Sequence, residues 1–208
     1  MKRTIAAFLV ALSTNAGAAT LFSDNFDSDA QGLNAVPAGW TILRGSVDVI
    51  GTGFFDLQPG HGNYLDLDGS TGLAVLMSAG PFSLNGGTSY TLSFLLAGSQ
   101  RGDTNTVTYG IDFNGDSVLD ASQTTTLASD VPFTPFSLVF VPLTTTNSAR
   151  IVFDHAGGDN LGLLLDNVVL ADSIPEPETW ALMLAGMGLV GFIARRRRGA
   201  SSSVSRGG

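Results

Sequence analysis

The stretch Asp112-Phe113-Asn114-Gly115-Asp116-Ser117-Val118-Leu119-Asp120 sets side-chain oxygens at relative positions 1, 3, 5 and 9. Calcium takes about six to eight hard oxygen ligands, and loops with this alternation supply them. Asp112, Asn114, Asp116 and Asp120 are therefore candidate calcium ligands. Two departures weaken the pattern: Ser117 stands where glycine is usual, and Gln123 where a bidentate acid belongs. The competing reading is a hairpin turned at Asn114-Gly115, a dipeptide suited to the positive φ angles of a type I′ turn.

Asp66 and Asp68 are spaced to share one face of a strand. Two carboxylates so placed could act as acid and nucleophile on a glycosidic bond. The plainer reading is a solvated pair near a turn. His61 and His155 are the only histidines, and neither has a partner at the spacing of a zinc site or a Ser-His-Asp relay. Both are expected at ordinary surface positions. Trp40, Tyr64, Phe54 and Phe55 could stack on a sugar ring, although core packing is the default for aromatics in a β-sandwich.

These residues need a scaffold. The 208-residue chain carries 18 acidic and 10 basic side chains. Between Thr20 and Ile174, sixteen aspartates face only Arg44, Arg101 and Arg150, an excess of thirteen negative charges. Such a surface repels nucleic acid and anionic lipid. There is no cysteine, so no disulfide supports the fold. The 155 residues suffice for one domain with a sizeable core.

Short runs rich in Val, Ile, Phe, Tyr, Leu and Thr predict strands at Leu21–Phe26, Thr41–Ile50, Tyr64–Leu67, Leu73–Met77, Ser89–Ala97, Thr106–Phe113, Phe136–Leu143, Ala149–His155 and Leu163–Leu170. Gly-, Pro- and Asn-rich clusters separate them. Alternation is clear in Tyr90-Thr91-Leu92-Ser93-Phe94. The expectation is an all-β sandwich or barrel over residues 20–171.

The ends carry a different message. Met1-Lys2-Arg3, the apolar Ile5–Leu12 run and Ala16-Gly17-Ala18 read as a signal peptide over residues 1–19. At the other end, a linker at 172–178 contains Pro175, Glu176 and Pro177. An apolar run then ends at Ala194, directly before Arg195, Arg196, Arg197 and Arg198. The fifteen residues Trp180–Ala194 would extend about 22 Å as a helix, short of the ~30 Å hydrocarbon core. Trp180 and the arginine stems can anchor at the two interfaces. The expectation is one short transmembrane helix at 179–194, with the Arg-rich 195–208 tail held in the cytoplasm as a membrane stop.

The order Ile174-Pro175-Glu176-Pro177-Glu178-Thr179-Trp180, glycine-punctuated apolar run, arginine cluster resembles the PEP-CTERM sorting signal of Gram-negative bacteria. That resemblance implies an exosortase as partner, processing near Pro175-Glu176-Pro177, and an association with exopolysaccharide. Prolines keep the segment extended, which suits entry into a protease cleft.

The segments Asp24-Asn25-Phe26-Asp27, Pro37-Ala38-Gly39-Trp40, Tyr64-Leu65-Asp66-Leu67-Asp68-Gly69-Ser70, Tyr90-Thr91-Leu92-Ser93-Phe94 and Leu164-Leu165-Asp166-Asn167-Val168 resemble galactose-binding-like jelly rolls. What that resemblance implies is a jelly-roll β-sandwich, carbohydrate binding in many relatives, and a structural calcium where the first and last strands meet. Here it would be held by Asp24, Asp27 and Asp166. The sequence thus favours an exported, non-enzymatic envelope or matrix protein. A carbohydrate-binding module is the first alternative and a glycoside-active enzyme the second.

Overall fold

The computed structural model describes residues 18–72, 75–173 and 184–190. Ala18–Ser173 form one compact unit, and 184–190 belong to another. Residues 1–17 of the expected 1–19 signal peptide, the Pro175-Glu176-Pro177 motif and Arg195–Arg198 lie outside the described residues. Of the expected membrane helix at 179–194, only 184–190 are described, as a helix. Among the described residues, no helix is long and apolar enough to cross a membrane.

Twelve strands are described in the larger unit: β1 (Thr20–Asp24), β2 (Gly32–Ala35), β3 (Trp40–Arg44), β4 (Val47–Gly51), β5 (Asn63–Asp66), β6 (Leu76–Leu84), β7 (Tyr90–Ala97), β8 (Thr104–Asp112), β9 (Ala121–Ala128), β10 (Thr134–Phe140), β11 (Thr146–Ala156) and β12 (Leu164–Asp172). One sheet has seven strands in the order β10-β7-β12-β5-β4-β2, with β1 also on β12. The other has five, in the order β3-β6-β11-β8-β9. Every named pair is antiparallel. This is the expected jelly-roll β-sandwich.

Alternation builds the core. On β7, Tyr90, Leu92, Phe94 and Leu96 are buried, while Thr91, Ser93 and Leu95 are only half-buried. Val107, Tyr109 and Ile111 of β8 and Ala149, Ile151 and Phe153 of β11 enter the same core from the other sheet. Phe94 is its aromatic hub, with ring centroids 4.7 Å from Tyr109 and 5.0 Å from Phe153, both edge to face. That geometry suits the ring quadrupoles.

One expected strand is two. Thr41–Ile50 breaks at Gly45, which takes φ +68°, a left-handed conformation open to glycine. The break lets β3 end in one sheet and β4 begin in the other. Strands β2 and β9 were not foreseen, because Gly-Leu-Asn-Ala and Ala-Ser-Gln-Thr-Thr-Thr-Leu-Ala lack apolar alternation. β9 is held instead by its β8 ladder and by Thr106–Thr126 and Thr108–Thr124 hydroxyl bonds.

Candidate functional site

On β4, Val47 and Val49 enter the main core, so Asp48 and Ile50 point to the opposite face of the seven-stranded sheet. Ile50, Tyr64, Ala97 and Leu164 make a small second core there, packed by Phe54, Leu57 and Phe133. The Tyr64 hydroxyl pins the covering loop: it accepts the Leu57 and Gln58 N–H groups at 2.6 and 2.8 Å and donates to Asp56 at 3.1 Å. Burial pushes this phenol up to about 12.

Beside this loop lies a cleft of about 160 Å³. Leu33, Phe55 and Leu57 supply its apolar wall, and Asp48, Asp66, Ser70, Arg101 and Asn160 its polar one. Phe55 is 64% exposed. Asp48 and Asp66 sit opposite each other in the β4–β5 register. Asp48 is buried and satisfied: Oδ1 accepts the Asn34 and Ser70 N–H groups at 2.7 and 3.1 Å, and Oδ2 the Ser70 hydroxyl at 2.8 Å.

Asp66 Oδ2 pairs with Arg101 at 2.5 Å, and Oδ1 accepts the N–H groups of Asp68 and Gly162, each at 3.0 Å. Burial pushes this carboxyl up to about 6, opposed chiefly by the Arg101 charge. Residue 162 must be glycine here, since a Cβ would stand 2.3 Å from both Asp66 Oδ1 and the Asp68 backbone nitrogen. A larger groove of about 600 Å³ lies between the 113–121 and 140–146 segments. Its one charged lining residue, Asp120, accepts the Phe113 N–H. The smaller cleft has the convergent polar groups that mark binding sites.

The structure corrects several expectations. Asp68 lies beyond the end of β5 and is fully buried; it does not line the cleft with Asp66. Its Oδ2 accepts the Gly158 and Asp159 N–H groups at 2.5 and 3.0 Å. Neither aspartate is solvated, because folded-over loops bring backbone amides to them. His155 is likewise buried rather than at the surface. His61 is partly exposed, against Phe133 at 4.6 Å and 4.0 Å from Asp166. Trp40 and Tyr64 belong to the two cores, and of the four aromatics only Phe55 is exposed enough to meet a ligand.

The Asp112–Asp120 loop joins β8 to β9, so it is a hairpin, but longer than a two-residue type I′ turn. Asp112 is fully buried and accepts the N–H groups of Asn114, Gly115 and Ser117. Asn114 Oδ1 accepts the Asp116 N–H and Asp116 Oδ1 the Val118 N–H. At the other expected calcium site, Asp24 bonds Phe26 N–H and the Trp40 indole, Asp27 bonds Asn25 and Asn63, and Asp166 bonds Asn167.

Asp166 is pushed up to about 7, first by burial and then by the charges of Asp27 and Asp24. The carboxylates already accept N–H bonds, and among the described residues no three acidic or histidine side chains are grouped to hold a metal.

Among solved structures, the chain is similar to an arabinose-bound GH51 α-L-arabinofuranosidase, at TM-score 0.52 and 12% identity over 74% of this chain. It spans only 27% of that enzyme's length. It is also similar to the K1 cleaved adhesin domain of Lys-gingipain from Porphyromonas gingivalis W83, at TM-score 0.50 and 12% identity, covering 72% of this chain and 96% of that one. A third similarity is to the CBM22-1 xylan-binding domain of Paenibacillus barcinonensis Xyn10C, at TM-score 0.48 and 14% identity, covering 74% and 95%. At such identities the likeness is one of fold. No curated protein matches the chain. A family model matches residues 173–198, which span the Pro-Glu-Pro, apolar and arginine segments. Those residues are a PEP-CTERM protein-sorting motif, the mark of an exported protein that is sorted and anchored at the membrane.

Proposed function

We propose that this chain is a non-enzymatic envelope or extracellular-matrix protein of a Gram-negative bacterium, delivered through its sorting motif to an exosortase and holding exopolysaccharide in its sandwich cleft. The observation that carries the reading is the cleft. An exposed phenylalanine, Phe55, stands beside the Asp66–Arg101 pair and the Asn160 amide. A sugar ring has an apolar face for an aromatic and edge hydroxyls for planar polar groups. At about 160 Å³, below the ~300–1,000 Å³ of drug-sized sites, the cleft suits a short stretch of a chain rather than an enclosed ligand.

The enzyme reading has less support. Of the Asp66–Asp68 pair, one carboxylate is clamped by Arg101 and the other is out of reach of solvent. The test is a glycan array probed with the wild-type protein and with Phe55→Ala. The proposal expects retention on a subset of glycans, weakened about fivefold by losing ~1 kcal/mol of stacking. Wild-type protein that binds no glycan, or a Phe55→Ala protein that binds as tightly, contradicts it.

A further inference from the structure

Asp68 and His155 contain two buried polar atoms without a hydrogen-bond partner, Asp68 Oδ1 and His155 Nδ1. Their chemistry is complementary. His155 Nε2 accepts the Leu163 N–H at 3.2 Å, so Nε2 keeps its lone pair and the ring proton of a neutral imidazole belongs on Nδ1. Asp68 Oδ1 is an acceptor and His155 Nδ1–H a donor. Both side chains border Gly157, where a Cβ would lie 2.7 Å from Asp68 Oδ2 and 3.0 Å from His155 Nδ1. A buried polar group left unpaired is costly, and an internal water that bridges two such groups removes the cost wherever the polar site has room for it.

We propose that one internal water joins the pair, accepting from His155 Nδ1–H and donating to Asp68 Oδ1, and that this link fixes the 157–163 segment. The segment is already tethered at both ends. Asp68 Oδ2 takes the Gly158 and Asp159 N–H groups, while Asp66 and His155 take those of Gly162 and Leu163. Between them Asn160, at φ +65°, lines the cleft. The link is thus a positioning device for a cleft residue, and that role rests on the glycan-binding reading.

The charges of four carboxylates favour the protonated ring: Asp68, Asp103, Asp159 and Asp154. Asp154 is paired with Arg44, and Asp103 bonds Ser99 and Asn105. Burial outweighs them and lowers the His155 pKa below its ordinary value. Protonation would put a second N–H against the Leu163 amide, so the segment is held while the ring is neutral and released in acid.

The deciding experiment is long-range ¹H–¹⁵N NMR of the wild-type protein. At pH 7 His155 is expected as the Nδ1–H tautomer with a slowly exchanging ring proton. An Nε2–H tautomer or an imidazolium overturns the proposal. Asp68→Asn is expected to speed amide exchange at Leu163, which His155 holds, at least tenfold, and unchanged exchange there counts against the link. Should the variant fail to fold, cross-relaxation between the His155 Nδ1 proton and a long-lived internal water decides alone, and its absence overturns the link. Retardation in gels containing soluble xylan separates the two ideas. Wild-type retardation lost in Asp68→Asn supports the positioning role. Retardation kept unchanged by the variant overturns that role. Wild-type protein that ignores xylan while the tautomer holds excludes xylan as the glycan of the cleft and keeps the link.

Discussion

Replacing Arg101 with methionine tests the electrostatics of the cleft. The Arg101–Asp66 contact is 2.5 Å, with Asp66 only 3% exposed in its side chain and Arg101 29%. Removing one partner of a fully buried pair costs about 3–5 kcal/mol. Arg101 reaches water, so the expected loss is smaller, about 2–3 kcal/mol at pH 8. For a domain of this size that lowers Tm by roughly 4–12 °C.

The loss must depend on pH. The Asp66 carboxyl is raised from 3.8 to about 6 in the wild type. A raised folded-state pKa contributes stability that is complete below the unfolded value and lost as pH rises through the folded one. Without the guanidinium, the chief factor lowering that pKa, it climbs further. At pH 5 the variant then holds a neutral acid that needs no cation, and the penalty should fall below about 1 kcal/mol. Thermal melts of both proteins at pH 5 and pH 8 measure this. A Tm deficit equal at the two pH values, or absent at pH 8, would refute the reasoning. Adding Asp66→Asn to Arg101→Met should recover part of the pH 8 loss, since both charges are then gone.

Three further outcomes are expected. Tyr64→Phe strips the acceptor from the Leu57 and Gln58 N–H groups, costing about 1–3 kcal/mol, and hydrogen exchange at those two amides should rise accordingly. Ser117 sits at φ +70°, so Ser117→Gly should raise stability by about 0.5–1 kcal/mol in denaturant titrations, whereas a loss would mean its side chain matters to the loop. EDTA should leave Tm unchanged, because the aspartates of both expected calcium sites already accept N–H bonds; a fall reversed by added calcium would reinstate the ion at Asp24, Asp27 and Asp166 or at the Asp112–Asp120 loop.

The parts of the fold written in local pattern were readable in advance. Tyr90–Phe94 alternates and forms β7, and the Asp112–Asp120 stretch does turn a hairpin. The sheet switch at Gly45 was not readable, because Thr41–Ile50 is apolar enough for one strand and a single glycine carries the break. Neither was the cleft. Arg101 meets Asp66 from 35 residues away, and Asn160 arrives from another loop. A hint existed, since three arginines among sixteen aspartates must each have carboxylates to choose from, but it names no pair. Asp68 and His155 were misread for a related reason: polarity predicts exposure unless distant backbone amides converge to replace water. The tail was legible because its signal is contiguous, with every part in order along 26 residues.

That tail also offers the most direct test of the account. Intact-mass spectrometry of this protein, recovered from its host with and without the exosortase gene, reads the fate of Pro175-Glu176-Pro177 and Arg195–Arg198. The account predicts a chain that has lost its arginine cluster when the exosortase is present, and keeps it when the gene is deleted. An unprocessed C-terminus in both strains would contradict it.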